Sequence, residues 1–174
     1  LVLPANVKGF PEYLRLNGYY CTNNAKQDYQ FLAPVTIWDE SSGKAHWRNR
    51  PKDAPFFSVF NLEVTHEAKL WERESEPLLV DPARVIVPPY YPDVPEVRKG
   101  IARHLSNVMV MDEQAGKIIA ALKKDGLYEN TIIFFYTDHG DALPYVKREI
   151  LKRGLQVPLI VKFPKQQLSG KVNQ

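Results

Sequence analysis

The sequence predicts an α/β protein built on a mostly parallel sheet. Two apolar runs, "PFFSVFNLEV" at 55–64 and "TIIFFYT" at 131–137, read as strands, the first aromatic and β-branched enough to be buried on both faces. Between them lies one long helical pattern from about Pro95 to Asp125, with Ile101, Leu105, Val108, Ala115, Ile119 and Leu122 on a common stripe. Strand, long helix, strand is the βαβ unit of a parallel sheet.

The other elements follow in chain order. "NVKGFPEYLRLNGYY" predicts a short amphipathic helix stopped at Asn17-Gly18, and "YYCT" a short strand after it. Residues 32–55 carry turn chemistry in "DESSGK" and "RNRPKDAP". Residues 67–95 are rich in proline and lack a period, so they predict a long irregular excursion, the kind of segment that often carries function. In the long helix, Asp112 falls on the apolar stripe and reads as a hydrogen-bonded group at the buried rim, with a place near a site as the other reading. "DG" at 125 and 126 ends that helix, "TIIFFYT" follows as a buried strand, and "VPLIVKF" at 157–163 adds another strand.

Composition narrows the function classes. The 174 residues are 44% hydrophobic and 25% charged, which suits one soluble globular domain with a real core. A net charge of +3 is too small to argue for nucleic acid and is compatible with an anionic substrate. No stretch approaches the roughly 18 apolar residues of a membrane span, and the start shows no signal-peptide pattern. The lone cysteine, Cys21, rules out an internal disulfide.

In open parallel sheets, sites gather at the carboxyl ends of strands. Three candidates fall there: Asp138-His139-Gly140 after "TIIFFYT", His66 after "FFSVFNLEVT", and Lys26 after "YYCT". A carboxylate suits a hard divalent cation, an imidazole is an acceptable second ligand, and a glycine allows a sharp turn. Taken singly, His66 reads as a structural histidine, and Lys26 and Lys147 as solvated surface lysines.

Order and context add to this. The segments "GYYCTNNAKQDY", "FFSVFNLEVTHE", "DGLYENTIIFFYTDHG" and "LPYVKREILKRGLQVPLIVKFP" resemble the sulfatase family of the alkaline-phosphatase-like superfamily, in the family's order, from about Gly18 to Pro164. The resemblance implies a three-layer α/β sandwich with a mostly parallel central sheet, of which residues 1–174 form part of a single catalytic domain. It implies that Asp138 and His139 are the late ligands of one divalent metal, usually Ca2+. It implies that Lys147 and Lys26 bind sulfate oxygens and that His66 serves the leaving-group oxygen. A cation and two ammonium groups would stabilise the charge that builds on a sulfate ester's oxygens as it is cleaved.

The chain departs from the family in several places. The C/S-x-P-x-R motif that yields the formylglycine nucleophile is absent, since Cys21 is followed by "TNNA", and Cys21 is instead expected to be a small buried hydrophobe. No "DD" supplies the early acidic metal ligands. Both features belong upstream of the matching region, so Leu1 is not expected to be the true start. The end after "VKFPKQQLSGKVNQ" is likewise abrupt. Tyr145 stands where relatives often carry a basic or small residue, which alters the shape expected of the sulfate pocket. The chain alone is expected to be inactive, with unpaired sheet edges. Sulfate release by the 174-residue chain would contradict that.

The leading expectation is a metal-dependent sulfuric-ester hydrolase acting on a sulfated carbohydrate or aryl sulfate. The alternatives are a phosphate- or phosphonate-ester hydrolase of the same superfamily and a non-catalytic module that binds sulfated glycans. His46, Trp47 and Arg48 in "KAHWRNR" read as a sugar-lining group or as a capped loop with an anchoring tryptophan, the latter favoured. The family implies a secreted or periplasmic protein.

Overall fold

The structure is a computed structural model that describes residues 1–4 and 6–164. The chain forms two compact units, Leu1–Asn61 and Leu62–Gln174. The closing stretch 165–174, read above as an abrupt stop, lies outside the described residues.

The first unit opens with helix α1, Phe10–Leu16. Its start is set by the Gly9 N–H donating to Glu12 Oε2 at 2.8 Å, with Pro11 in the first turn. It ends at Asn17, and Gly18 takes the left-handed φ of +82° that a glycine accepts without a Cβ clash. Strand β1 (Tyr20–Asn24) is central in a parallel sheet of order β2-β1-β3, where β2 is Glu40–Ser41 and β3 is Phe56–Phe60. The register pairs Tyr20 with Phe56 and Asn24 with Phe60. The α/β class is therefore present, as a three-stranded parallel sheet with helices.

β3 is half-buried along its whole length rather than buried on both faces. The reason is its place at the edge, paired with β1 alone among the described residues. Trp47, in the 3₁₀ turn Trp47–Asn49, is 2% exposed and packs edge-on against Phe60 at 5.5 Å. It anchors the 32–55 loop, and its ring is too buried to stack on a sugar. Cys21 is buried as expected, with Sγ 3.6 Å from the Pro11 carbonyl oxygen. Burial, aided by Asp39, pushes its thiol up to about 11, so it is no nucleophile at neutral pH.

The second unit is organised by one long helix. Helix α2 (Lys69–Glu72) precedes it, and α3 runs Pro95–Lys124 with Pro95 in its first turn. The 67–95 excursion is bound tightly to α3. Val85, Ile101 and Ala102 form a small core covered by Leu78, Val80, Val87, Val97 and Leu143. Ser106 Oγ accepts from the Leu79 and Val80 N–H groups and donates to the Ala102 carbonyl. Arg103, 4% exposed, donates to the carbonyls of Glu74, Glu76 and Pro77. Arg98 forks onto Asp93 and reaches the carbonyls of Pro82, Ala83 and Val85.

The buried face of α3 is thus polar in part, and the apolar stripe is only partly its guide. Leu105 is exposed, and so is Asp112, which lies beyond the segment the excursion covers. Asp112 is therefore not the hydrogen-bonded group at a buried rim that its place on the stripe predicts.

Strands β4 (Ile133–Tyr136) and β5 (Leu159–Lys162) pair antiparallel, with helix α4 (Lys152–Leu155) between them in sequence. β4 is not the buried strand its composition suggests, because Phe134 and Tyr136 are exposed. A two-stranded ladder sends alternate side chains to opposite faces, and no third strand joins it among the described residues. No helix among the described residues is long and apolar enough to cross a membrane.

Candidate active site

His66 and Lys147, 81 residues apart, meet: Lys147 Nζ lies 3.2 Å from His66 Nε2. His66 ends the 3₁₀ turn Glu63–Thr65, whose Val64 is buried and holds the turn in place. Lys147 follows Val146, which is fully buried. Tyr145 and Arg148, on either side, take left-handed φ values of +65° and +69°, so the backbone turns tightly around the lysine.

Glu67, which sequence reasoning missed, completes the pair. Its Oε1 lies 3.1 Å from Lys147 Nζ and 2.9 Å from an Arg148 guanidinium nitrogen. The only signal was an acid directly after His66 in "VTHE". The hydrogen bond from Lys147, and the charges of Lys147, Arg148 and His66, hold the Glu67 carboxyl below the 4.5 of a free glutamate, against a smaller opposing effect of burial. A depressed folded value means the pair is intact above the free value and is lost as pH falls through the folded one. The carboxyl carbon of Glu67, followed by NMR from pH 7 to 2, should titrate with a midpoint below 4.5, and Lys147→Ala should raise that midpoint. A midpoint indifferent to Lys147→Ala would contradict the contact.

The ring geometry of His66 constrains proton positions. A neutral imidazole has one donor nitrogen and one acceptor nitrogen. The Ala68 N–H donates to His66 Nδ1 at 3.3 Å, so Nδ1 is the acceptor and a neutral ring carries its proton on Nε2, the nitrogen 3.2 Å from Lys147 Nζ.

Asp138 and His139 stand just past β4, as the sequence places them. The carboxylate is 73% exposed, and its Oδ1 is 3.7 Å from His139 Nε2. His139 Nδ1 lies 2.7 Å from the Gly140 carbonyl, so Nδ1 carries the proton and Nε2 presents its lone pair on the side of the carboxylate. Two donors bound at about 2.0–2.5 Å to one ion would sit roughly 3–4 Å apart, so this pair fits part of a divalent shell. Among the described residues no third His, Cys, Asp or Glu joins them to complete a metal-binding group.

Gly140 ties the metal-side turn to the lysine segment. Its N–H donates to the Gly154 carbonyl at 3.2 Å, and a Cβ built on it would fall 1.9 Å from the Arg153 carbonyl oxygen and 2.5 Å from Val146 Cγ1. Asp138-His139 and Lys147 are therefore held by one close-packed junction of Gly140, Val146 and Arg153-Gly154.

Lys26 belongs to the first unit, two residues past β1. Its Nζ is 3.1 Å from Asp28 Oδ2 and its carbonyl accepts from Asn23 Nδ2 at 2.9 Å. Asn23 is buried, and its Oδ1 accepts from Asn61 at 3.0 Å, so the segment leading to Lys26 is fastened to the carboxyl ends of β1 and β3.

The first unit thus carries a parallel sheet with a lysine past its central strand, and the second a histidine-lysine contact and an aspartate-histidine pair, in a protein of the α/β class. The chain belongs to the sulfatase family, whose model matches residues 5–174. It is 42% identical over 94% of its length to an ulvan-active sulfatase of Formosa agariphila, and covers 33% of that protein. It is 30% identical over 51% of its length to the human N-sulphoglucosamine sulphohydrolase, covering 18% of it. An N-acetylglucosamine-6-O-sulfatase of Bacteroides thetaiotaomicron is 32% identical over 38% of the chain, which covers 13% of it. The chain thus spans a third or less of these relatives.

Proposed function

We propose that the chain supplies the late half of a sulfuric-ester hydrolase site, as part of a single catalytic domain acting on a sulfated carbohydrate. The observation that carries this reading is the contact between Lys147 and His66, which places a cation and a proton carrier within one hydrogen bond. Lys147 binds non-bridging sulfate oxygens, and Lys26 is assigned the same task. As the sulfate takes the lysine's protons for its own hydrogen bonds, Nε2 of His66 is released from Lys147. The proton carried on Nε2 then passes to the bridging oxygen as sulfur exchanges its bond to that oxygen for one to an incoming nucleophile, so the sugar leaves as an alcohol. Glu67 holds Lys147 in place between substrates.

Asp138 and His139 would hold a divalent cation, Ca2+ or another, which when bound supplies positive charge to the sulfate oxygens. The formylglycine nucleophile has no counterpart here, since the chain lacks its motif, and no step is assigned to it. Relatives named for ulvan and for sulfated glucosamines support a glycan substrate. Secretion or periplasmic placement belongs to the same reading.

The test is sulfate release by the whole protein from ulvan oligosaccharides, with and without chelator. Release that stops with chelator and returns with Ca2+ is the expected result. Binding without release would favour a glycan-binding module, and release of phosphate from phosphate esters in its place would favour the phosphoesterase reading.

A further inference from the structure

Beside Lys147 lies a group of aromatic side chains that the proposed chemistry does not use. The excursion ends in Tyr90-Tyr91, whose rings meet edge-on at 4.6 Å. Tyr145, two residues before Lys147, lies parallel to Tyr91 at 6.3 Å and edge-on to Tyr90 at 6.5 Å. Tyr91 is the anchor: its hydroxyl donates to the Pro144 carbonyl, and burial pushes its phenol up. Tyr145 and Tyr90 are 60% and 45% exposed. Arg153 lies over the Tyr90 ring at 5.5 Å and pairs with Asp141 at 3.0 Å.

Three features say that this patch is built and not incidental. Tyr145 is a bulky residue at φ +65°, a conformation held only where the surroundings impose it, and such positions gather at functional sites. Val146, fully buried, fixes the segment, so Tyr145 and Lys147 flank a single immobile residue. The patch is also continuous with a basic stretch: Lys147, Arg148, Lys152 and Arg153 outnumber the carboxylates Glu67, Asp141 and Glu149 among them. Exposed tyrosine faces beside excess positive charge fit a polyanion made of rings.

We propose that Tyr145 and Tyr90, braced by Tyr91, form a stacking subsite for a sugar ring of an anionic polysaccharide, next to the ring whose sulfate Lys147 holds. The choice of a sulfated glycan as occupant rests on the proposed function. The subsite itself reads ring faces and not sulfate, and this separates the two claims. It also transfers to Tyr145 the sugar-stacking role that Trp47 is too buried to perform.

The experiment uses the whole protein and two probes: a sulfated ulvan oligosaccharide and the same oligosaccharide chemically desulfated, with binding measured by calorimetry. Tyr145→Ala should weaken both by about tenfold. Lys147→Ala should weaken the sulfated probe alone. Tyr145→Trp should restore binding, which a purely structural role would not allow. The proposal is overturned if wild type binds neither probe, if Tyr145→Ala stays within about twofold of wild type, or if Tyr145→Trp falls as far as Tyr145→Ala. Sulfate release, measured in parallel, separates the two readings. Tyr145-dependent binding with no release sinks the proposed function and leaves the subsite. Normal release with Tyr145-independent binding does the reverse.

Discussion

Alanine at His66 or Lys147 should lower kcat/KM for sulfate release by the whole protein by about 10²–10⁴. The two losses should differ in kind. If His66 delivers a proton to the departing oxygen, as proposed, His66→Ala should hurt a sugar sulfate far more than 4-nitrophenyl sulfate, whose leaving group needs no proton. In the same proposal Lys147 binds oxygens that stay on sulfur, so its loss should be similar for both substrates. The side chains touch, at 3.2 Å, and the double variant should therefore lose less than the product of the single losses. Activity of either single variant within about threefold of wild type would remove that residue from the reaction. An equal penalty for His66→Ala on both leaving groups would remove its role as acid.

Gly140→Ala should, with Gly154→Ala beside it, be among the most damaging small substitutions at the described residues. The added methyl would sit 1.9 Å from a backbone oxygen of Arg153, and backbone cannot rotate away as a side chain can. The loop must shift, at a cost of about 3 kcal/mol, near the upper end for overpacking. Gly43, which has nothing within 4 Å of its would-be Cβ, is the control: Gly43→Ala should change stability by roughly 0.5 kcal/mol or less. Urea unfolding compares the two. Because Asp138 and His139 immediately precede Gly140, Ca2+ binding to the whole protein should weaken with Gly140→Ala and not with Gly43→Ala. Equal stabilities would mean that the junction is looser than the structure shows.

Local signals were legible in the sequence. The Asn17-Gly18 stop, β1, β3, the span of α3 and the Asp-His pair past β4 all rest on runs of a few neighbouring residues, and the structure places them there. What required the fold was everything set by partners distant in sequence. The His66–Lys147 contact spans 81 residues, and no spacing rule links them. Glu67 gave no sign of its double ion pair because an acid beside a histidine is common. The helix face departs from its apolar stripe at Leu105 because the covering excursion presents carbonyls to Arg103 and backbone N–H groups to Ser106, so polar side chains fill the buried face. Trp47 shows the converse, since an aromatic among basic residues looks like a ligand platform until its burial is known.

Val146 has a consequence for how such a protein diverges. One buried valine separates Tyr145, which would grip the polymer, from Lys147, which would act on the ester. If the two proposals hold, change at 145 would alter which chains are held while leaving the reacting groups in place, and change at 146 would disturb both at once. Substrate range could then be altered one residue away from the reacting groups.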